Sequence, residues 1–368
     1  MHRQEPSRDS SNATVKTISQ IETPALILDQ HVMEDNMRRM DALLENTGMK
    51  LYPHYKSHKC PQLAKMQILH GAAGITCAKL SEAEDLSAAG IETIVLANQV
   101  VQPEKLTRLA ALAGRCRLTV CTDSAENILA LEQAAAAAGT TLYVLVELEV
   151  GMRRCGVSSP EEFLDLAKRI AAQPHLVFEG IQAYAGHLAH ETDAAVRHRE
   201  MQEIEQKVKG LKEFVQQNGL PVREVCGGST GTVADKPKNT VYTQLQAGSY
   251  LFMDCAYERL SLIFRPALFL LSTVISVRPD WIVTDSGVKS LSMDQVPPRF
   301  PELPQVEYSL SEEHTTLFTA SGGWKAGDHL RCIPGHCCTT INMADQIYLV
   351  DGEDVIDVLP VVSRGKAQ

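Results

Sequence analysis

A histidine and two cysteines stand close together near the carboxyl end of the chain, in the stretch RCIPGHCCTTIN. His336 precedes Cys338 by two positions, and a proline-glycine pair comes before them. Imidazole and thiolate groups bind transition metals, paired cysteines form disulfides, and both residue types also occur in buried turns. The stretch therefore leaves three interpretations open: a metal site, a disulfide, or a structural turn that contains sulfur.

The expected redox compartment disfavours the disulfide. The first twenty residues, MHRQEPSRDSSNATVKTISQ, are polar and lack the apolar segment of a secretory signal, so we interpret them as a flexible tail. A chain without such a signal is expected in the cytoplasm, where its ten cysteines would remain reduced. A bond between Cys337 and Cys338 is therefore not expected.

Side chains at the ends of predicted strands are the next candidates for chemistry. Lys56 ends a β-like run, where partial burial at a barrel mouth would lower its pKa and make it nucleophilic. Lys59, three residues later, is the competing candidate. Arg154 could bind an anionic oxygen, and Tyr184 could pack on a planar cofactor. For each residue alone, a structural or solvated role is the alternative.

The run CGGSTGT, residues 226–232, is a turn of small residues after a predicted strand. Backbone amides and hydroxyl groups exposed in such a turn could cradle a phosphate. The run is not a Walker loop, because no Gly-Lys-Ser or Gly-Lys-Thr sequence follows it. A flexible loop without a ligand is the alternative interpretation.

The composition argues against two classes of partner. The chain has 368 residues, 44% hydrophobic content and a formal net charge of −10, as in an ordinary globular protein. It lacks the basic cluster that nucleic acid requires. No uninterrupted apolar run reaches the ~18 residues of a membrane span. We therefore predict no binding to nucleic acid or membrane.

Eight short β-like runs alternate with amphipathic helices in the first two thirds of the chain. Two of the helices begin at a serine cap and one of them ends at a glycine, whereas the last connection, 229–241, shows no clear helix. This alternation predicts an α/β fold, a parallel (β/α)8 TIM-type barrel. An open doubly wound sheet is the alternative. The predicted strands are 50–55, 74–80, 93–100, 117–123, 141–150, 176–184, 223–228 and 242–248.

After about residue 256, strand-like runs follow one another without strong helices. This change predicts a second, mostly antiparallel β domain at the carboxyl end. The early run PALILD, residues 24–29, is one strand too many for the barrel, so we assign it to the β domain. The predicted divisions are a flexible tail at 1–20, a joining strand and helix at 21–49, the barrel at 50–256 and the β domain at 257–368.

Several motifs together resemble a known family over about residues 22–365. They are similar to the D-threonine aldolase and D-serine dehydratase family, fold type III pyridoxal-phosphate enzymes that are more distantly related to alanine racemase. The resemblance implies pyridoxal 5'-phosphate as cofactor and a small D-amino acid as substrate. The motifs occur in the order LYPHYKSHKCPQLA, VELEVGMRRCGV, GIQAYAGHLAH, CGGSTGT, TQLQAGSYLFMD, DSGVKS, EEH and PGHCCTTIN.

The resemblance also implies roles for individual residues. Lys56, and not Lys59, matches the lysine that carries the cofactor. Arg154 matches an arginine near the cofactor's phenolic oxygen, and Tyr184 matches a ring beside its pyridine. Gln246 falls where alanine racemases carry an arginine facing the pyridine nitrogen, which implies a weaker electron sink. The residues that match the phosphate site are Gly228, Ser229, Thr230, Gly231, Thr232, Gly248 and Ser249.

For the histidine-cysteine stretch, the resemblance implies a divalent metal beside the cofactor, held by His336 and Cys338. On an extended segment, side chains two positions apart face the same way, so both could reach one ion while Cys337 points away. A thiolate favours zinc over manganese or magnesium. The dehydratase branch carries a cysteine with zinc at this position and the aldolase branch an aspartate. The flanking TTIN and the surroundings of Lys56 and Gln246 nevertheless resemble the aldolase side.

The implied activity is that of a metal-dependent lyase that cleaves β-hydroxy-D-amino acids, such as D-threonine to glycine and acetaldehyde. Cleavage needs a base near the substrate hydroxyl, a position matched by His190, with His187 as the nearby alternative. Zinc-dependent dehydration of D-serine or another 3-hydroxy-D-amino acid is the second possibility, with Lys56 as base. A carrier of pyridoxal phosphate without turnover is the third, although relatives of that kind have the barrel alone.

Fold type III enzymes pair head to tail, so the resemblance further implies a homodimer. In such a dimer the β domain of one subunit covers the barrel mouth of the other. The metal pair would then serve either its own site or that of its neighbour, and the sequence leaves both arrangements open.

Overall fold

The computed structural model describes residues 16–236, 238–320 and 322–368 and divides them between a barrel and a β-rich domain. The strands are β1 (Ala25–Asp29), β2 (Lys50–Leu51), β3 (Ile75–Cys77), β4 (Thr93–Gln99), β5 (Arg117–Thr122), β6 (Leu142–Glu147), β7 (Leu176–Gln182), β8 (Glu224–Gly227), β9 (Gln244–Leu245), β10 (Leu268–Val277), β11 (Ile282–Thr284), β12 (Glu307–Leu310), β13 (Thr315–Phe318), β14 (His329–Cys332), β15 (Gln346–Asp351) and β16 (Asp354–Pro360). The α-helices are α1 (Gln30–Leu44), α2 (Pro61–Leu69), α3 (Leu80–Ala88), α4 (Pro103–Ala113), α5 (Ala125–Ala138), α6 (Pro160–Ala171), α7 (Ala194–Gln217), α8 (Cys255–Glu258) and α9 (Cys337–Ile341).

Eight parallel strands form the barrel. They pair in the order β2-β9-β8-β7-β6-β5-β4-β3. A parallel bridge between His54, which follows β2, and Thr76 of β3 joins the two ends of this sheet and closes the barrel. The predicted (β/α)8 barrel is confirmed, and the open doubly wound sheet is not the fold of this chain.

The helices around the barrel follow from local capping signals in the sequence. Ser124 and Ser159 cap α5 and α6, and each side-chain oxygen accepts a hydrogen bond from a backbone amide three residues later. Gly139 ends α5 with a φ of 62°. The described part of the connection between β8 and β9 contains a 3₁₀ turn, Val233–Asp235, and no α-helix. Within the described ranges, no helix has both the length and the apolar character needed to cross a bilayer.

The β-rich domain is built on a sheet in the order β12-β13-β11-β10-β1-β15-β16, with β14 also paired to β10. The early strand β1 runs antiparallel to β10 and parallel to β15. The other pairs of this sheet are antiparallel. The assignment of PALILD to this domain is therefore confirmed, and α1 leads from β1 to the barrel.

Some elements differ from the sequence prediction. The strand β12 was not predicted, because it lies at the sheet edge and its residues are exposed or half-buried. Lys16 and Ile18 make backbone hydrogen bonds to Val355 and Glu353, so residues 16–20 attach to the β domain instead of belonging to a free tail. Residues 1–15 of the predicted tail lie outside the described residues. The predicted domain boundaries otherwise stay a prediction.

The two domains share an apolar core. One cluster of buried side chains fills the layer between the barrel strands and their helices, and a smaller cluster of strand residues fills the barrel interior. A second cluster combines barrel residues such as Leu51 and Leu245 with β-domain residues such as Leu268 and Ile341. Burial of such a shared interior fixes the β domain against the barrel mouth.

Candidate active site

The carboxyl ends of the barrel strands surround a cavity of about 330 Å³. Four predicted residues border it, namely Lys56, Arg154, Tyr184 and Gln246. They follow four different strands, and the barrel brings them together because parallel strands end at one mouth. Other side chains complete the lining without having been predicted as site residues: His54, Ala78, Ala97, Asn98, Gln99, Cys155 and Gln182.

Lys56 and Lys59 occupy different environments although only two residues separate them. Lys56 lies in the 3₁₀ turn Tyr55–Ser57, is exposed and borders the cavity. Lys59 Nζ instead lies 2.6 Å from Oε1 of Glu82, whose carboxylate is almost fully buried. The amine of Lys56 is thus accessible, whereas that of Lys59 is held in an ion pair. The partial burial predicted for Lys56 is wrong, because its turn places it at the open mouth.

The ring of Tyr184 lies near two cationic side chains. Its centroid is 5.6 Å from Nζ of Lys56 and 5.7 Å from Cζ of Arg154. Nη2 of Arg154 is 3.8 Å from Oε1 of Glu147. Burial raises the pKa of the Glu147 carboxyl, although a hydrogen bond donated by Gln99 acts to lower it. An aromatic face flanked by positive charge suits a planar, anionic ligand.

Gln246 forms a reciprocal amide pair with Gln182. Nε2 of Gln182 donates to Oε1 of Gln246 at 2.8 Å, and Nε2 of Gln246 donates back to Oε1 of Gln182 at 3.1 Å. Both side chains are buried and border the cavity. A neutral amide pair therefore stands at this position, and the sequence revealed only one of its two members.

The small-residue turn after β8 is organised by its own hydroxyl groups. Ser229 N donates to Oγ1 of Thr232 at 3.1 Å, and the two hydroxyl oxygens are 3.0 Å apart. Tyr250 N donates to Oγ1 of Thr230 at 2.9 Å, which connects the turn to the segment after β9. The three hydroxyl side chains are buried. Hydrogen bonds within the turn and to Tyr250 therefore hold the predicted phosphate-binding turn in one conformation.

Glycine is required at two positions beside this turn. A Cβ on Gly231 would lie 2.0 Å from the carbonyl oxygen of Ala189. A Cβ on Gly248 would lie 2.7 Å from Oγ of Ser57. The backbone amides of Gly228 and Gly231 find no acceptor among the residues that the structure describes. At both positions the missing side chain admits neighbouring protein atoms, and the available amides of Gly228 and Gly231 are the groups suited to an anion such as phosphate.

His190 is a neutral imidazole in the site. Its ring lies 4.4 Å from that of Tyr257, and its buried Nδ1 has no hydrogen-bond partner in the described part of the chain. Burial, together with nearby His336, lowers the pKa of His190, so the ring is able to accept a proton. The alternative, His187, is exposed, with Nε2 4.0 Å from Oε2 of Glu200. The structure thus favours His190.

The segment around His336 is not extended throughout, which corrects the prediction. His336 has extended backbone angles, but the helix α9 begins at Cys337. The helix starts there because Cys337 N donates to Oδ2 of Asp254 at 2.9 Å. Cys337 is fully buried and Cys338 half-buried. The imidazole and the Cys338 thiol nevertheless lie close enough to shift each other's pKa.

A carboxylate that the sequence did not reveal holds His336. Nδ1 of His336 is 2.9 Å from Oδ2 of Asp294, 42 residues earlier in the chain. Hydroxyl groups of Ser292 and Thr339 also donate to this carboxylate. Burial opposes the shift, but these three contacts lower the pKa of Asp294 to about 2. Nε2 of His336 remains for a further ligand, and no sequence pattern could have shown the pairing.

The His336 imidazole and the Cys338 thiol shift each other's pKa in opposite directions. Burial alone would lower the pKa of His336, but Cys338 and Asp294 raise it to about 9. A hydrogen bond with Cys337, the His336 imidazole and the Lys56 ammonium all lower the pKa of the Cys338 thiol well below its usual value. The lowered pKa favours the thiolate of Cys338, which is the form of cysteine that binds a metal.

His336 and Cys338, which belong to the β domain, face the barrel of their own chain. Sγ of Cys338 lies 3.9 Å from Oγ of Ser249, one of the residues predicted to hold phosphate. Lys56 is also near enough to lower the pKa of the Cys338 thiol. The structure therefore brings the predicted metal pair and the predicted cofactor residues together within one subunit.

Comparison with known proteins accounts for both domains. Residues 28–256 match the family described as alanine racemase, N-terminal domain, and residues 267–350 match a serine dehydratase domain family. Over 361 residues the chain is 37% identical to 3-hydroxy-D-aspartate aldolase of Paracoccus denitrificans (strain Pd 1222), covering 95% of this chain and 93% of that protein. The chain belongs to the family of D-threonine aldolases and D-serine dehydratases.

Other members of this family match the chain over most of its length. D-threonine aldolase of an Arthrobacter species is 36% identical over 95% of this chain and 94% of that protein. The crystal structure of D-threonine aldolase from Filomicrobium marinum has a TM-score of 0.92 at 33% identity, covering 97% of this chain and 100% of that chain. D-threo-3-hydroxyaspartate dehydratase of Delftia sp. (strain HT23) is 28% identical over 88% and 93% of the two chains. Among these relatives the aldolases share more identity with the chain than the dehydratase does.

The cavity fits the cofactor on which this family depends, pyridoxal phosphate. The accessible amine of Lys56 suits an aldehyde, and the ring of Tyr184 suits a pyridine. The amides of Gly228 and Gly231 have no acceptor among the described residues and are available to a phosphate. The predicted cofactor is therefore consistent with residues at several points of one cavity.

The fit to a metal rests on two donors. Within residues 16–236, 238–320 and 322–368, no group of three His, Cys, Asp or Glu side chains is arranged to hold an ion. Catalytic metal sites keep coordination positions open for water or substrate, though they more often have three protein ligands. The carboxylate of Asp294 on His336 is the kind of support that a metal-binding histidine receives.

Proposed function

We propose that the chain cleaves the Cα–Cβ bond of a β-hydroxy-D-amino acid, giving glycine and an aldehyde. It is a pyridoxal-phosphate-dependent lyase, and with D-threonine the aldehyde would be acetaldehyde. The environment of His190 carries this proposal: a neutral imidazole, with one nitrogen unpartnered among the described residues, stands near His336 and Cys338. The identity to named aldolases supports the same reaction.

The barrel residues hold the cofactor in this proposal. Pyridoxal phosphate, when bound, supplies an electron-accepting ring that stabilises negative charge on the substrate's Cα. Lys56 provides the amine for its attachment, and Tyr184 packs on its ring. Arg154 offsets the charge of its phenolic oxygen, and the Gln246 amide stands near its nitrogen. The phosphate is held by the turn at 228–232 with the segment at 248–249.

His190 removes the proton from the substrate's β-hydroxyl. The oxygen electron pair then forms the carbonyl of the aldehyde as the Cα–Cβ bond breaks. The electron pair of the broken bond remains on Cα, which takes up one proton to give glycine and so balances the proton that His190 removed. A positioned base of this kind contributes about 10²–10⁴-fold to a rate. His187 is unsuited to the role because it is exposed beside Glu200.

We further propose that His336 and Cys338 hold one divalent metal. The thiolate favours zinc, with manganese or magnesium as less suitable ions. A metal at this position would polarise the substrate's hydroxyl oxygen as a Lewis acid. Asp294 would keep the His336 ring turned so that Nε2 faces the ion.

Dehydration is the second candidate function, and two observations favour it. Cys338 is the residue type that the dehydratase branch carries at this position, and a dehydratase is among the relatives. In dehydration a base removes the Cα proton and the hydroxyl leaves as water. Lys56 would be that base, and His190 would not be required. A carrier without turnover has no support, because the named relatives that match nearly the whole chain are lyases.

Product analysis separates the two reactions. The purified chain, supplied with pyridoxal phosphate and zinc or manganese, is incubated with D-threonine, D-serine and 3-hydroxy-D-aspartate in separate assays. Cleavage gives glycine in every case, together with acetaldehyde, formaldehyde or glyoxylate. Dehydration gives ammonia with 2-oxobutanoate, pyruvate or oxaloacetate. Ammonia without glycine would overturn the aldolase proposal, and the preferred substrate would follow from the relative rates.

We also propose a homodimer in a cytoplasmic setting. The resemblance to fold type III enzymes supports the dimer, and so does the exposure of Lys56 at a mouth that a second subunit could cover. All ten cysteines lie in the described part of the chain and are free thiols, which supports a reducing compartment. A fully active monomer in light scattering would contradict the dimer.

A further inference from the structure

A buried amine lies behind the glycine turn without a hydrogen-bond partner. Lys236 directly follows the 3₁₀ turn Val233–Asp235 in the connection between β8 and β9. Its Nζ is buried, and no atom of the described residues accepts a hydrogen bond from it. The nitrogen lies 3.1 Å from the centroid of the Tyr242 ring. A cation–π contact replaces only part of the solvation that a buried ammonium loses, so this group would gain from a nearby anion.

The two carboxylates that influence the pKa of this amine, Asp235 and Glu205, accept hydrogen bonds from other groups. Oδ2 of Asp235 accepts a hydrogen bond from Nε of Arg197 at 2.6 Å. Glu205 accepts from Oγ1 of Thr240 at 3.0 Å and from a neighbouring backbone amide. Burial lowers the pKa of Lys236 to about 7, although Glu205 and Asp235 oppose the shift. Because Lys236 Nζ has no hydrogen-bond partner among the described residues, neither carboxylate bonds to it directly.

Gly228 is the point of contact between the amine and the phosphate turn. A Cβ built on Gly228 would lie 2.9 Å from Cε of Lys236 and 3.9 Å from its Nζ. Gly228 also has a φ of 80°, which a residue with a side chain rarely adopts. The glycine thus admits the lysine to the back of the turn. The amine and the available Gly228 amide together place positive potential at this end of the cradle.

We propose that Lys236 is an electrostatic partner of the cofactor phosphate and acts from behind the glycine turn. The proposal rests on the phosphate site proposed above for residues 228–232 and adds a cation to it. A lysine ammonium is a compact point charge, so its attraction to a phosphate dianion needs no fixed hydrogen-bond geometry. The competing explanation is structural, with the lysine serving only to pack against Tyr242.

Pyridoxal and pyridoxal phosphate differ by the phosphate group, so comparing their affinities isolates the contribution of Lys236. Apoprotein of the wild type and of Lys236→Met is titrated with each ligand by equilibrium dialysis at neutral pH. Lys236→Met is expected to weaken binding of pyridoxal phosphate about tenfold, or about 1.4 kcal/mol. Binding of pyridoxal should not change. Lys238→Met is the matched control, because Lys238 is an exposed lysine of the same connection and should be replaceable without effect.

The outcomes separate this proposal from the one on which it rests. An equal loss of affinity for both ligands in Lys236→Met, or no loss for either, would overturn the role of Lys236. Wild-type protein that binds pyridoxal as tightly as pyridoxal phosphate would instead refute the phosphate site. Thermal unfolding of the apoproteins checks that the variants are folded, and Lys236→Gln provides the same comparison if the methionine variant is not.

Discussion

The barrel turn at 228–232 and the β-domain turn at 334–341 contribute to one site but are held in place differently. The barrel turn is organised by near neighbours in sequence, as in the contacts between Ser229 and Thr232. The β-domain turn depends on distant residues. Asp294 holds His336, and Asp254 holds the start of α9.

This difference implies that the two halves of the site can be disturbed separately. Substitutions in the barrel mouth should affect the cofactor and leave the metal pair intact. Substitutions at the distant partners of the β-domain turn should affect the metal and leave the cofactor in place. The predictions below test this separation, and they begin with the largest expected effect.

Lys56→Ala should abolish activity and covalent attachment of the cofactor, because no other accessible amine borders the cavity among the described residues. The protein should remain folded, since Lys56 is exposed and forms no ion pair within the described chain. The visible absorbance of the bound cofactor and the rate of glycine formation provide the measurements. Metal content should stay at the wild-type level.

Lys59→Ala is the matched comparison, because it also removes a lysine from the same segment. It leaves the buried Glu82 carboxylate with two backbone amide donors but without its cationic partner, which should lower the free energy of unfolding by about 3 kcal/mol. Urea unfolding measures this loss. The assignment of Lys56 would be wrong if Lys59→Ala removed the cofactor absorbance while Lys56→Ala retained it.

His190→Asn should reduce kcat about 10²–10⁴-fold if the imidazole is the base for cleavage. Binding of the cofactor and metal content should not change, because His190 is proposed to hold neither of them. His187→Asn is the control, and its effect should be small since that side chain is exposed beside Glu200. Comparable losses in the two variants would show that neither histidine has the proposed special role.

The same contrast explains what the sequence could predict. The glycines and hydroxyl residues of CGGSTGT, and the lysine of PHYK, carry local signals that pointed to the barrel site, and the alternation of strand-like and helical runs predicted the fold. Asp294, Gln182 and Tyr257 reach the site from separate segments, and only the folded chain brings them to His336, Gln246 and His190. The helix at Cys337 was missed for the same reason, because its first amide is bonded to a distant carboxylate.

Asp294→Asn should weaken metal binding about 10–100-fold, the usual effect of losing the carboxylate that orients a metal-binding histidine. Affinity for pyridoxal phosphate should not change, because the hydrogen-bond partners of Asp294 among the described residues are Ser292, His336 and Thr339, outside the proposed phosphate turn. Chelator competition measures the metal affinity. Asp280→Asn, at an exposed position of the same domain, is the control. Wild-type metal affinity in Asp294→Asn would remove the evidence that this contact supports a metal.

A second contact from the carboxyl end of the chain reaches the lysine-bearing turn. Oγ of the buried Ser363 donates to Oδ2 of Asp85 at 2.6 Å and lies 2.8 Å from the hydroxyl of Tyr55, next to Lys56. Ser363 N also donates to the carbonyl of Lys59 at 3.1 Å. Hydrogen bonds from the carboxyl end of the chain therefore hold the turn that carries Lys56, whereas the phosphate turn is held by contacts within the barrel.

Ser363→Ala should lower the free energy of unfolding by about 1–3 kcal/mol, because it leaves the buried Tyr55 hydroxyl without this partner. The backbone bond to Lys59 persists in the variant, so Lys56 should still attach the cofactor at saturating concentration. Tyr55→Phe and the double variant complete a thermodynamic cycle, and contact between the two hydroxyls predicts a coupling energy of about 0.5–3 kcal/mol. Additive effects in urea unfolding would mean that the two hydroxyls stabilise the chain independently and that the carboxyl end does not hold the turn through this contact.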